Sequence, residues 1–408
     1  YDAQFASSRS ALEAGRDKLP QARSGLLHTI ALSASTTWNE AEYTSRTTPP
    51  ITASADYNSN GWNVSLTQPL FRWQNWAGYQ QGELAVVQAE AQFAEAQQDL
   101  IIRVAQAYFD VLLGEEAVAT AAAQKKAIAE QLESAKRNFE VGTATITDTH
   151  EAQARYDLAV ATEIAAQNDL SVKRQTLRTL AAKDYEGLRA LKPGAHIGRP
   201  QPDDAAKWAE TAEGGNLSVQ KAQAGLEIAI QELSKQRAGH YPTLDLVATH
   251  GKSGTGYSSS SGGGVDTKTS TVGLQLAVPI FAGGYVSSKD REAVALKEKA
   301  YADLENARRQ AALGARQAYL GVTSGLSQVT AYQAALASSQ AALDSNKLGY
   351  EVGVRINIDV LNAQSQLYDT GKMLMKARLD TLVAQLKLKA AAGNLGENDL
   401  TAINGLLD

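Results

Sequence analysis

Four side chains stand out for what they could do. Asp148 and Asp359 close two similar stretches, Phe139-Glu-Val141-Gly142-Thr-Ala-Thr-Ile-Thr147-Asp148 and Tyr350-Glu-Val352-Gly353-Val-Arg355-Ile-Asn-Ile-Asp359. Tyr350 and Arg355 flank the second turn. Each carboxylate opens a helical segment, so each reads as an N-cap, and Glu151 completes a capping box with Asp148. Arg355 is the only basic residue in either turn, and Asp148 is the acid at the matching position of the other. Opposite charges on different hairpins fit a latch; the alternative for Arg355 is a solvated loop arginine. No nucleophile–base pair, phosphate loop or metal cluster is present, so no enzyme, no cofactor and no resident metal are expected. His28, His150, His196, His240 and His250 show no metal-ligand spacing and read as surface or packing residues. Cysteine is absent, which removes thiol chemistry and disulfides. The net charge of −5 offers no basic field for nucleic acid.

The two stretches belong to a duplication. At an offset of 211, Gln106-Ala-Tyr108 recurs as Gln317-Ala-Tyr319, Gly114 as Gly325 and Val118 as Val329. Two structural repeats follow, 1–204 and 205–408. In the first, residues 1–23 read as helix, 25–72 as a β-hairpin, 74–139 as a long helix, 140–147 as a turn and 148–183 as a second helix. A connector over 191–204 holds Pro193, Gly194, Gly198, Pro200 and Pro202. In the second, 205–237 is helical with a break at Gly214-Gly215. It is followed by a hairpin over 242–282, a long helix over 285–349, a turn over 350–358, a helix over 359–392 and a short tail. Asp2–Leu32 pairs with Asn216–Leu246, and residues from about 205 lack an early partner; this predicts a further segment before residue 1.

The helices rest on proline's absence. None occurs between Pro69 and Pro193 or after Pro279, and proline is tolerated only at helix starts. Residues 74–139 would span about 100 Å at ~1.5 Å per residue. Ala-rich helices of that length need similar neighbours in coiled-coil-like packing. The strands rest on period-two alternation. Ile30, Leu32 and Ala34, then Trp62, Val64 and Leu66, then Leu244, Leu246 and Ala248, then Val272, Leu274, Leu276, Val278 and Ile280 each share one face. Pro69 is expected to close the second strand. Asn58-Ser-Asn60-Gly61 and Gly251–Asp266 are expected in loops, the latter a mobile Gly/Ser segment.

No run approaches the ~18 apolar residues of a membrane helix. Four strands are too few to close a barrel, and an open edge cannot sit in lipid. A barrel shared among several chains satisfies both conditions, with the apolar face on lipid and the polar face on a lumen. A soluble coiled-coil scaffold is the alternative, but lipid-facing alternation would be idle in one. Trp73, Trp76, Tyr79 and Tyr285 follow the strand pairs. They pack a strand-to-helix joint or form an aromatic girdle at the membrane boundary.

Over nearly its whole length the chain resembles the TolC family of outer-membrane channel-tunnel proteins. The carrying residues are Gln68-Pro69-Leu-Phe71, Gln106-Ala-Tyr-Phe109, Phe139-Glu-Val-Gly142, Ile146-Thr-Asp148, Tyr241-Pro-Thr-Leu244, Val278-Pro-Ile-Phe281-Ala-Gly-Gly284, Tyr350-Glu-Val-Gly353 and Asp359-Val-Leu361. The resemblance implies a homotrimer in the outer membrane of a Gram-negative bacterium. It would have a twelve-stranded β-barrel and an α-helical tunnel through the periplasm. It implies passive drug efflux or type I protein secretion, with a periplasmic adaptor and an inner-membrane transporter of ABC or RND type. It implies that Tyr350 and Arg355 bond to Thr147 and Asp148 and hold the tunnel shut. Asp359 would ring the pore constriction. Asn362 stands where that branch of the family carries a second carboxylate, so the ring would bear half the charge. The exposed turns, with Val141, Gly142, Val352 and Gly353, would dock the adaptor.

Overall fold

The computed structural model describes residues 1–408 except 144, 184, 186, 193 and 259–261. Pro193 of the connector, Ala144 of the first turn and Ser259–Ser261 of the Gly/Ser loop lie outside the described residues. The first half runs α1 (Ala3–Arg16), α2 (Lys18–Ser24), β1 (Thr29–Thr44), β2 (Thr52–Phe71), α3 (Trp73–Glu140) and α4 (Ile146–Ala181). The second runs α5 (Ala205–Gly215), α6 (Leu217–Arg237), β3 (Thr243–Thr255), β4 (Val265–Ala277), α7 (Tyr285–Glu351) and α8 (Asn357–Ala391), then α9 (Glu397–Asn404). The order of elements thus recurs. Helices α3 and α7 hold 68 and 67 residues. No described helix is apolar enough over its length to cross a membrane.

The chain forms two compact units that each draw on both repeats. One holds residues 1–11, 91–221 and 305–408. Its core joins Phe109 and Leu112 of α3, Leu191 and Ile197 of the connector, and Leu379, Leu382, Val383 and Leu386 of α8. Alanine lets the helices approach: Ala107 packs with Leu170 and Leu177, and Ala135 with Ala152. The tail is more ordered than its composition suggests. Asp399 Oδ2 accepts from Gly396 N at 3.0 Å and opens α9, and Leu407 bridges to Leu191.

The other unit holds residues 12–90 and 222–304. It contains one antiparallel sheet in the order β1-β2-β3-β4. Four strand expectations are corrected. Asn58–Gly61 lie inside β2, because their amides bond across the ladder: Asn58 Nδ2 donates to Thr36 Oγ1 at 2.8 Å, and Asn39 Nδ2 to Ser59 Oγ at 2.8 Å. Pro69 does not end β2. Pairing with β1 starts at Thr67↔Thr29, so no β1 residue needs the N–H that proline lacks, and β2 continues through a bulge to Phe71. The ends of the Gly251–Asp266 segment are strand, paired from Gly251↔Thr269 to Thr255↔Val265. β4 itself stops at Ala277, before Val278-Pro279-Ile280.

The register assigns the faces. Ile30↔Leu66↔Ala248↔Val272 and Leu32↔Val64↔His250↔Ser270 run across one face, and Leu246↔Leu274 and Leu244↔Leu276 continue it. Leu32, Val272 and Leu274 are 71%, 78% and 66% exposed there. The opposite face carries Ser33, Asn63, Gly251 and Thr269 in one row and Ala31, Ser65, Thr249 and Thr271 in the next. β1 and β4 are open edges within the chain.

Candidate gate and constriction at the hairpin tips

Both hairpin tips are built the same way. At the first, Gly142 has φ +79°, its N–H bonds to Phe139 O at 3.0 Å, and Thr143 N reaches Asn138 O at 2.8 Å. At the second, Gly353 has φ +77°, its N–H bonds to Tyr350 O at 3.1 Å, and Val354 N reaches Gly349 O at 2.8 Å. A residue in the left-handed region closes the helix and satisfies its last carbonyls, which is why glycine stands at both places. Val141 and Val352 project from these turns, 73% and 65% exposed.

The following helices start differently, and here the capping expectation is corrected. Thr145, not Asp148, is the N-cap of α4. Thr145 Oγ1 accepts from Asp148 N at 3.3 Å. Asp148 Oδ2 in turn accepts from Thr145 N and Thr145 Oγ1, both at 2.8 Å. The box is closed by Asp148, not Glu151, because the N-cap lies three residues before the aspartate. Donation from Thr145 backbone N–H, then from its hydroxyl, holds the Asp148 carboxyl below the usual carboxylate range. The N-cap of α8 is Ile356, which has no side-chain oxygen to offer. Asp359 sits at its third position, where among the described residues its carboxylate takes no backbone N–H and pairs with Arg355 Nη1 at 3.6 Å.

Tyr350 Oη accepts from Asn138 Nδ2 at 3.2 Å, a contact between the two hairpins that involves a residue sequence reasoning did not single out. Among the described residues, no bond joins Tyr350 or Arg355 to Thr147 or Asp148 within the chain. Asn362 Oδ1 accepts from Arg155 Nη2 at 3.1 Å, which ties α8 to α4. Between Asp359 and Asn362 lie Val360 and Leu361, both buried; Leu361 packs with Ile128 and Ala159. This apolar pair fixes the first turn of α8 while Asp359 stays half-buried and Asn362 exposed.

At the strand-to-helix joint, Trp73 Nε1 donates to Ser234 Oγ at 3.0 Å, and Trp76 stacks on Tyr79 with centroids 5.7 Å apart. Tyr285 is 65% exposed. The strongest polar contact there is one the sequence concealed. Arg72 Nε and Nη2 donate to Asp245 Oδ1 and Oδ2 at 2.7 and 2.5 Å, and Asp245 is buried. The signal was an arginine directly after Phe71 and an acid inside an otherwise apolar strand.

A four-stranded sheet with an exposed apolar face, joined in sequence to long helical hairpins with paired glycine turns, defines the class of outer-membrane export ducts. The chain matches the family described as outer membrane efflux protein over residues 2–183 and 208–394. It is 32% identical over 404 residues to outer membrane protein TolC of Escherichia coli, covering 97% of this chain and 80% of that one. It is 31% identical over 406 residues to the alkaline protease secretion protein AprF of Pseudomonas aeruginosa, covering 98% and 84%. Among solved structures, the CmeC outer membrane channel of Campylobacter jejuni superposes with a TM-score of 0.83 at 16% identity, covering 100% of this chain and 86% of that one. VceC of Vibrio cholerae superposes with a TM-score of 0.79 at 18% identity, covering 96% and 93%. This chain belongs to the outer membrane efflux protein family. It is an outer-membrane exit duct, and the soluble scaffold alternative falls away.

Proposed function

We propose that three copies of the chain form one channel, serving drug efflux or type I secretion, with a gate at the hairpin tips. The observation that carries this reading is the sheet. It exposes Ile30, Leu32, Val272, Leu274 and Leu276 on one face and leaves β1 and β4 unpaired at its edges. In lipid an unpaired edge is costly, and only closure removes it. β4 runs antiparallel to β1 in the sheet order, so β4 of one copy can add to β1 of the next. Three copies then give twelve strands, with the face that carries Ser33, Asn63, Thr249 and Thr271 on the lumen.

The hairpin tips supply the remaining roles. A periplasmic adaptor meets the turns at Val141-Gly142 and Val352-Gly353 and couples the duct to an inner-membrane transporter of ABC or RND type. Asp359 and Asn362 line the constriction. The latch forms when Arg355 exchanges Asp359 for Asp148 of a neighbouring hairpin, with Tyr350 bonding near Thr147. Charge-assisted bonds of this type contribute about 1.5–3 kcal/mol each, enough to bias a gate that partner binding can reverse. Trp73, Trp76 and Tyr285 mark the periplasmic boundary of the bilayer.

Native mass measurement in detergent tests the assembly, and planar-bilayer recording tests the channel. A species of three chains with a defined conductance is expected. A monodisperse single chain would overturn the reading.

A further inference from the structure

The apolar face of the sheet does not stay apolar to its outer end. Above Val272 on β4, the same face carries Ser270 and then Lys268; above Ala248 on β3, it carries His250 and then Lys252. Lys252 and Lys268 are direct cross-strand partners. Like charges placed opposite each other destabilise a sheet unless a counter-charge intervenes. Asp266 supplies part of one, with Oδ2 at 2.8 Å from Lys252 Nζ. Lys268 is exposed and has no ion pair among the described residues. Two cations against one carboxylate leave a net positive charge on each chain's patch.

The depth of the patch points to its ligand. Lys268 lies eight positions along from Leu276. At ~3.4 Å per residue and a tilt near 40°, that is about 20 Å along the membrane normal, close to the ~25 Å height of an outer-membrane apolar band. Trp62 is the β2 partner of Lys252 and meets the His250 ring edge-on at 5.5 Å, as an interfacial aromatic would. His250 Nδ1 lies 2.7 Å from Ser270 Oγ, directly beneath the lysines. In the barrel proposed above, Trp62 and His250 lie beneath two basic groups on the lipid-facing side, at headgroup level.

We propose that Lys252 and Lys268 bind the phosphate groups of an outer-leaflet glycolipid. A phosphate between the two ammonium groups reverses their repulsion, Trp62 packs beside the sugar–acyl boundary, and Asp266 weakens the site by competing for Lys252. The inference rests on the barrel reading for the face that meets lipid, the strand tilt and the end of the strands that lies at the outer leaflet. The competing arrangement is an ion pair from Lys268 to an acidic strand residue of a neighbouring copy.

The test uses the purified full chain in detergent. A bis-phosphorylated glycolipid and its dephosphorylated form are titrated in, and bound lipid is counted by native mass measurement. The protein should prefer the phosphorylated form. Lys252→Gln and Lys268→Gln should each weaken that preference about fivefold, from ~1 kcal/mol per interfacial lysine. Asp266→Asn should strengthen it, which a general loss of folding would not do. Conductance should be the same in all three variants, so failure of this inference is distinguishable from failure of the barrel. Equal binding of the two lipids overturns the inference, as does a Lys268→Gln variant that loses trimer stability while keeping its phosphate preference.

Discussion

Arg355 pairs with Asp359, one helical turn further on, at 3.6 Å. The one cation of the second tip is therefore engaged by the carboxylate proposed to face the pore. Arg355→Ser removes a latch donor and also bares Asp359. Single-channel conductance in planar bilayers should rise, and cation selectivity should rise with it. Tyr350→Phe and Asp148→Ala should each raise conductance. The Arg355→Ser/Asp148→Ala double variant should add little, because both changes break one interaction. Conductance unchanged in every variant would remove the latch and leave Asp148 with its capping role alone.

Asp359→Ala should act differently. Val360 and Leu361 anchor the turn whether or not the carboxylate is there, so the opening should keep its width. Cation selectivity and block by multivalent cations should both weaken. A reversal potential identical to that of the unmodified channel would argue that Asp359 does not face the pore.

The cap at Thr145 has a pH signature. Because the Asp148 carboxyl is held low by Thr145, its contribution is fully present above the ordinary carboxylate range and is lost as pH falls below about 4. Hydrogen exchange of the first turn of α4 should accelerate there. Thr145→Ala should weaken the same turn at neutral pH by roughly 1 kcal/mol. Exchange insensitive to both changes would refute the capping assignment.

Arg72 and Asp245 join the end of β2 to the start of β3 by two parallel bonds. Asp245→Asn should lower stability by roughly 1.5–3 kcal/mol, read as a lower temperature for loss of the folded band on a gel. Arg72→Lys should rescue only part of the Arg72→Met loss, since an ammonium cannot reproduce the fork. Full rescue would show that charge alone matters at this joint.

At Gly142 and Gly353 no atom within 4 Å would meet an added Cβ, so the cost of a side chain there is the left-handed backbone. That cost is about 1–2 kcal/mol, small beside a trimeric assembly. Gly142→Glu and Gly353→Glu should block export while trimer and conductance persist. Normal export by both variants would exclude these turns as the adaptor's contact.

Sequence alone determined the parts that obey local rules. Proline's absence and alanine's abundance marked α3, α4, α7 and α8 to within a few residues, and period-two alternation marked the strands and their apolar face. The duplicated Val-Gly stretches located both hairpin turns, because a left-handed closure needs glycine whatever surrounds it. What tertiary structure decided were the positions where a distant partner overrides local composition. Asn58–Gly61 and Gly251–Thr255 look like loop but are strand, since a neighbouring ladder and its side-chain bonds satisfy the polar groups. Asp148 looks like an N-cap but closes the box begun at Thr145, whose hydroxyl takes the Asp148 N–H and whose own N–H goes to the Asp148 carboxylate. Arg72 with Asp245, Tyr350 with Asn138 and Lys252 with Lys268 are each separated by too much chain for spacing to reveal. Only the register of the sheet and the packing of the hairpins bring those pairs together.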